Sequence, residues 1–136
     1  MSGVVDAELE RTIRDAYAAF AEGDIESLRE LFHEDVIYVN PPYAMEPGTR
    51  EGRDAVEEIW NGIYSLFEFE TVEVLEIAEA PRCVLVVLGY RGRGKASGAP
   101  VDVPMAHVLE YRDGRVARLA WYGTRDEAAE AAGLQP

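Results

Sequence analysis

The chain begins with apolar residues that recur at the spacing of a helix, namely Leu9, Ile13, Tyr17 and Phe20. Residues three or four apart share one helical face, so this pattern predicts an amphipathic helix over residues 6–22 that Gly23 ends. Asp24 suits the N-cap of a short second helix. That helix should bury Ile25, Leu28, Leu31 and Phe32.

A third helix is predicted over residues 53–67, with Asp54 in its first turn, where the helix dipole favours a carboxylate. Its apolar face should consist of Val56, Ile59, Trp60, Ile63 and Phe67. From residue 68 the period changes to two, which predicts strands near 69–79, 83–93, 100–111 and 115–122. Helices that precede antiparallel strands indicate an α+β domain.

Turn and cap signals separate these elements. Asp113-Gly114 predicts a tight hairpin, and Thr124 with Glu127 forms a capping box for a last short helix through Ala132, which Gly133 ends.

Residues 36–40, between the second and third helices, suggest a small-molecule pocket. They predict an edge strand, because Pro41-Pro42 follows at once and cannot continue a sheet interior. Tyr38 and Asn40 lie two apart and therefore share a face of that strand. A phenol and an amide at a pocket mouth are polar groups that orient a small ligand.

Residues 84–88 are continuously apolar, so both faces of their strand should be covered. The helices and the ligand pocket can cover one face of this strand. A second subunit is the simplest cover for the face around Leu85 and Val87, which favours a homodimer through the sheet. The alternative is cover by the chain's own termini.

Alternation along the strands predicts which side chains line the cavity. His107 shares a face with Met105, Leu109 and Tyr111, and Leu119 and Trp121 form the matching pair on the last strand. The predicted lining is Tyr17, Tyr38, Asn40, Trp60, Leu88, Tyr90, Met105, His107, Leu109 and Trp121. Aromatics dominate this set, which suits a flat or hydrophobic ligand, although each aromatic taken singly is more often plain core.

His107 is the one ionisable group that alternation and an apolar strand both direct inward. Burial lowers the pKa of histidine and leaves a neutral imidazole to accept a proton, so His107 is the candidate acid/base. The alternative is a structural histidine hydrogen-bonded to tyrosine or backbone. With two histidines and one cysteine, no metal site is expected, and no cofactor.

Composition narrows the class of partner. The 136 residues predict one domain over 1–136, and a net charge of −13 argues against nucleic acid and anionic membranes as partners. No signal peptide or membrane-length apolar run is visible, and Cys83 is the single cysteine. A cytoplasmic location fits these observations.

Several motifs together resemble a known family. They are Ala21-Glu22-Gly23-Asp24, Leu31-Phe32-His33-Glu34-Asp35-Val36, Asn40-Pro41, Glu51-Gly52-Arg53-Asp54-Ala55-Val56, Ser97-Gly98, His107-Val108, Asp113-Gly114-Arg115-Val116 and Ala131-Ala132-Gly133-Leu134. Across the whole chain these resemble the SnoaL-like group (polyketide cyclase/ketosteroid isomerase-like) of the nuclear transport factor 2-like superfamily. The resemblance implies a cone-shaped α+β fold, with three N-terminal helices packed in a curved antiparallel sheet, and a dimer through the sheet.

Most positions that are catalytic in enzymes of this superfamily carry other residue types in this chain. The strand-end base of ketosteroid isomerases falls on Asn40, and their sheet acid on His107. The water-holding pair of limonene-epoxide hydrolases is matched by Tyr38 and Asn40, but their water-activating set falls on Leu88, Tyr90 and Trp121. Both mechanisms are therefore disfavoured, while His107 with a Tyr38 or Asn40 donor would suit a cyclase.

The sequence thus predicts a domain that binds a hydrophobic or polycyclic small molecule, as a cofactor-free isomerase, cyclase or hydrolase with His107 as acid/base and Tyr38 and Asn40 orienting the substrate. The alternative is a non-catalytic ligand-binding or interaction domain of the same fold. An enzyme needs the His107 imidazole free to face the cavity and open space beside Asn40, whereas a binding domain tolerates both being held by neighbours.

Overall fold

The computed structural model describes residues 7–44 and 46–134. Its helices are α1 (Ala7–Glu22), α2 (Ile25–Leu31), α3 (Arg53–Leu66) and α4 (Arg125–Ala132). Its strands are β1 (Phe32–Asn40), β2 (Gly48–Glu51), β3 (Phe67–Glu79), β4 (Val84–Gly94), β5 (Pro100–Arg112) and β6 (Arg115–Tyr122). Among the described residues, no helix combines the length and apolar character that a membrane crossing requires.

The N-terminal helices follow their predicted patterns closely. α1 buries Ile13, Tyr17 and Phe20, and Gly23 ends it with a φ of 73°. Position 6, the predicted start of α1, lies outside the described residues. The Asp24 carboxylate accepts a hydrogen bond from the Ser27 N–H at 3.2 Å, which confirms the N-cap of α2.

The end of α3 differs from its prediction by one residue, whereas α4 ends as predicted. α3 buries Val56 and Trp60, but Phe67, predicted as its last residue, has extended backbone and begins β3. In α4 the Thr124 hydroxyl accepts from the Glu127 N–H, and Gly133 caps the helix in the left-handed conformation, as the capping box predicted.

The six strands form one curved sheet in the order β2-β1-β6-β5-β4-β3. Neighbouring strands are antiparallel except for β1 and β6, which are parallel. The sheet is therefore antiparallel with one parallel pair. At the β5–β6 hairpin Asp113 and Gly114 have φ values of 54° and 76°, the positive angles that a type I′ turn requires, so the predicted hairpin is confirmed.

The prediction that residues 36–40 form an edge strand is wrong. β2 pairs with β1 antiparallel, with Asn40 opposite Gly48, and so β1 lies between β2 and β6. The double proline does end β1, but a strand's end does not determine whether its side is paired. The chain reverses direction between Asn40 and Gly48, and β2 then supplies the partner.

Two apolar clusters lie on opposite faces of the sheet. The larger cluster packs α1, α2 and α3 against the inner face, on which Val86 and Leu88 of β4 are fully buried. The smaller cluster packs Ala128 and Ala129 of α4 against Leu85 on the outer face. Arg125 fixes α4 to β3 through two hydrogen bonds to Glu76, at 2.8 and 2.9 Å.

This outer cluster corrects the reasoning that led to a dimer. Leu85 has no exposed surface because the chain's own C-terminal helix covers it, which is the alternative that the sequence left open. Val87 is half-buried, and Leu75 is 56 % exposed beside Gly89 on the same face. The dimer stays a prediction, but burial of Leu85 no longer requires it.

Candidate ligand-binding cavity

A cavity of about 60 Å³ lies between the helices and the inner face of the sheet. Six of the ten residues predicted from the sequence line it: Tyr17, Tyr38, Trp60, Tyr90, His107 and Leu109. They come from α1, β1, α3, β4 and β5, so the wall draws on both halves of the chain. β5 contributes His107, Leu109 and Tyr111 to the wall, because residues two apart on a strand face the same side.

His107 is 6 % exposed, and both of its ring nitrogens contact tyrosine hydroxyls. The Tyr17 hydroxyl lies 2.6 Å from Nδ1, and the Tyr90 hydroxyl lies 3.4 Å from Nε2. A neutral imidazole has one N–H donor and one acceptor nitrogen. One tyrosine therefore donates to the ring, and the other accepts from it.

Burial keeps this cluster uncharged. It lowers the pKa of His107 to about 3, and it raises the pKa of Tyr111 to about 12. Burial also raises the pKa values of Tyr17, Tyr38 and Tyr90 far above the usual range for tyrosine. Among the described residues that line the cavity there is no Asp, Glu, Lys or Arg. The cavity therefore carries no charge at neutral pH.

Tyr38 differs from Tyr17 and Tyr90, because its hydroxyl has no hydrogen-bond partner among the described residues. The residue is 6 % exposed and lines the cavity, and its hydroxyl forms no hydrogen bond with a described residue. Because no fully buried polar side-chain atom among the described residues lacks a partner, this hydroxyl keeps some accessible surface. A guest with an acceptor oxygen would give this hydroxyl a hydrogen-bond partner.

Asn40 shares the face of Tyr38, as alternation predicts, but it does not line the cavity. Its Oδ1 accepts a hydrogen bond of 2.6 Å from Nε1 of Trp121. Tyr43 packs edge-on against Trp121, and its hydroxyl accepts from the Gly123 N–H at 2.7 Å and donates to Glu127 at 3.0 Å. Asn40 and Trp121 are therefore hydrogen-bonded to each other, and neither belongs to the cavity wall.

Four predicted lining residues, Asn40, Leu88, Met105 and Trp121, are thus absent from the wall. Leu88 is fully buried in the inner core, and Met105 is half-buried against it. Alternation assigned the correct face to all four, but it does not say how far along a strand the open space extends.

The wall also includes residues that the sequence analysis did not select: Ala16, Phe20, Leu28, Phe32, Ile63, Tyr111, Val116 and Leu119. The alternation already placed Tyr111 and Leu119 on inner faces. The helical periodicity marked Phe20, Leu28 and Ile63 as apolar, but it could not separate core from cavity wall. Within the described residues, no group of three His, Cys, Asp or Glu side chains is placed to hold a metal ion.

Comparison with solved structures supports the fold. A crystal structure of a putative isomerase from Bacillus subtilis matches with a TM-score of 0.74 and 21% identity, over 93% of this chain and 94% of that chain. A protein with a ketosteroid isomerase-like fold from Catenulispora acidiphila, solved in complex with trimethylamine, has a TM-score of 0.71 and 22% identity, over 91% of this chain and 93% of that chain.

A loop-truncation variant of IdmH is 30% identical, with a TM-score of 0.72, and the match covers 83% of this chain and 90% of that one. The family model described as a SnoaL-like domain matches residues 13–119, from the first helix to the last strand. That span is well over half of the chain, and the protein therefore belongs to the SnoaL-like domain family.

Proposed function

We propose that the protein binds an uncharged, hydrophobic small molecule that presents an acceptor oxygen to Tyr38. The observation that carries this proposal is the Tyr38 hydroxyl, which has no hydrogen-bond partner among the described residues and belongs to the wall of a cavity without charged groups. A carbonyl, ether or epoxide oxygen would accept its hydrogen bond, and the surrounding aromatic rings would hold an apolar body.

The size of the cavity limits the ligand. About 60 Å³ is far below the roughly 300–1,000 Å³ of pockets that enclose drug-sized ligands. A ligand of a few heavy atoms fits this space, whereas a polycyclic ligand needs the cavity to expand several-fold. The proposal therefore favours the small end of the predicted ligand class.

His107 is a weak candidate for a lone general base. A base works best when its pKa is near the operating pH, and burial lowers the pKa of His107 to about 3. Both ring nitrogens also have tyrosine partners, and Asn40 is held by Trp121. These contacts favour the alternative of a non-catalytic binding domain over an enzyme in which His107 acts alone.

A ligand-detected NMR screen of small ketones, terpenoids, aromatic polyketides and steroids tests the proposal. The Y38F variant should bind an oxygen-bearing hit about tenfold more weakly, since one hydrogen bond is lost. The control is Y122F, because Tyr122 lies opposite Ala106 on the outer face of the sheet. Equal affinity in Y38F and wild type, or binding of charged compounds alone, would contradict the proposal.

A homodimer remains part of the proposed assembly. The outer face carries Leu75, Val87 and Gly89 beside α4, an apolar surface that a second copy would cover. Sedimentation of the wild type should give a dimer at micromolar concentration, and Leu75→Glu should shift it to monomer. A wild-type monomer would contradict this proposal. We also propose a cytoplasmic location, which the single cysteine, Cys83, supports.

A further inference from the structure

We propose that Tyr111 is a second recognition residue of the cavity, which therefore selects a neutral molecule with an acceptor oxygen at each end of an apolar body, such as a diketone or a diether. This inference rests on the proposed function, because one of the two oxygens must bind Tyr38. It assigns a role to Tyr111, which alternation placed on the inner face but which the sequence analysis did not select as a ligand contact.

The hydroxyl of Tyr111 is open to a guest, as is that of Tyr38. Both residues line the cavity together with Tyr17 and Tyr90. The hydroxyls of Tyr17 and Tyr90 contact His107, whereas those of Tyr38 and Tyr111 form no hydrogen bond with a described residue. No fully buried polar side-chain atom among the described residues lacks a partner, so these two hydroxyls keep accessible surface. The wall therefore offers two separate donors.

The sheet places the two donors on either side of an apolar strip. Tyr38 of β1 lies opposite Leu119 of β6, and Tyr111 of β5 lies opposite Val116 of β6. Leu119 and Val116 also line the cavity. Neighbouring strands are about 4.8 Å apart, so the backbones of β1 and β5 lie roughly 10 Å apart across β6. A guest that reaches both hydroxyls thus lays its apolar body over β6.

The hydroxyl end of Tyr111 is turned towards the interior, although the residue as a whole is only half-buried. Burial raises the pKa of Tyr111 to about 12, and the oxygen is the atom that titrates. Burial also raises the pKa of Tyr17 most, and nearby tyrosine hydroxyls, those of Tyr111 and Tyr38 among them, raise it further. Both donors therefore lie within electrostatic range of the same buried tyrosine.

Two neutral oxygens satisfy this wall better than one oxygen or a charge. A guest with one oxygen would leave the second hydroxyl shielded from water and without a partner, which is unfavourable. A carboxylate could accept from both phenols, but the described wall residues include no Lys or Arg to balance its charge. A buried anion without a counterion loses its hydration without compensation.

The experiment measures the affinities of dioxane and tetrahydropyran by NMR titration of wild type, Y38F, Y111F and Y122F. The two rings have nearly the same size, but dioxane has oxygens at opposite ends and tetrahydropyran has one. We expect Y111F to bind dioxane about fivefold more weakly and to bind tetrahydropyran within about twofold of wild type. Y38F should weaken both rings, because Tyr38 is the more buried donor and takes the first oxygen. Y122F should match the wild type.

The outcomes separate the two proposals. Each variant is compared with wild type on the same compound, so the difference in hydration between the two rings cancels. Failure of both rings to bind would remove the proposed function and the second donor with it. An equal loss for both rings in Y111F, or no loss for dioxane, would overturn the role of Tyr111 and leave the binding proposal intact.

Urea denaturation without ligand shows whether the variants fold and tests the same inference. Phenylalanine at position 111 or 38 removes a hydroxyl that has no partner in the protein, so Y111F and Y38F should unfold at the wild-type urea concentration. Y17F should unfold at a lower concentration, because the Tyr17 hydroxyl contacts His107. An equally destabilised or unfolded Y111F would show that its hydroxyl already has a partner, which would overturn the proposal.

Discussion

The burial of His107 should make the protein less stable as the pH falls through the mildly acidic range. Burial lowers the pKa of the folded state to about 3 from an ordinary value of 6.5. Between these values the unfolded chain binds a proton on this histidine and the folded protein does not. Stability therefore falls as the pH decreases from about 6.5 towards 3, and it is fully retained above 6.5.

The size of the effect follows from the two pKa values. The free energy of unfolding should decrease by about 1.4 kcal/mol at about pH 5.5 and by about 2.7 kcal/mol at about pH 4.5, relative to neutral pH. The second figure is about a fifth to a half of the roughly 5–15 kcal/mol that stabilises a typical domain.

Urea denaturation at neutral pH and at the two lower pH values measures this decrease in the free energy of unfolding. H107Q is the test variant, and H33Q is the control. The 26 Asp and Glu residues are the same in every variant, so the difference between variants isolates the histidine. H107Q should lose the decrease assigned to His107, and H33Q should keep it. Parallel pH curves for wild type and H107Q would refute the reasoning.

Three further predictions concern the scaffold, and urea denaturation checks each of them. L85A should lower the free energy of unfolding by about 2–5 kcal/mol, because Leu85 is fully buried under α4. L66A should change it by less than about 1 kcal/mol, because Leu66 is 58 % exposed. Similar losses in the two variants would contradict the packing of α4 on Leu85. G92A should lose more than about 2 kcal/mol, because a Cβ there collides with the Glu68 carbonyl oxygen, whereas G62A, with open space in α3, should gain up to about 1 kcal/mol. Y43F should lose about 1 kcal/mol with the hydroxyl that joins Gly123 and Glu127, and an unchanged stability would show that this contact contributes nothing.

Local chemistry explains why so much of the fold was predictable. The Asp24 cap, the Asp113-Gly114 turn and the Thr124 capping box each depend on residues within a few positions of one another, and all three formed as predicted. The short strand β2 was missed because Gly48–Glu51 has no apolar alternation and is held by pairing with β1. No pattern within the four residues of β2 indicates that it pairs with β1.

The site was predictable only as far as alternation reaches. It gave the inward face of Tyr38, Asn40 and His107, but not which of them has a partner. Asn40 is held by Trp121, 81 positions away, and Nδ1 of His107 by Tyr17, 90 positions away. Cover of Leu85 by the chain's own terminus was only the second choice, because the small side chains of Ala128 and Ala129 in α4 give a weak apolar signal.

The separation of the cavity residues along the chain has a consequence for the order of folding. β3 to β6 are joined by consecutive hairpins, so their contacts are local and should form early. β1 pairs with β6 across most of the chain, and Tyr17 meets His107 over a similar distance. These contacts close long loops, whose entropy cost delays them.

We therefore expect the hairpins from β3 to β6 to form an early intermediate that carries Tyr90 and His107 on an open face. Docking of α1 and β1 then brings Tyr17 and Tyr38 to that face and closes the cavity in the last step. A ligand that binds between the two halves stabilises only the finished protein, and it should slow unfolding without speeding the formation of the hairpins.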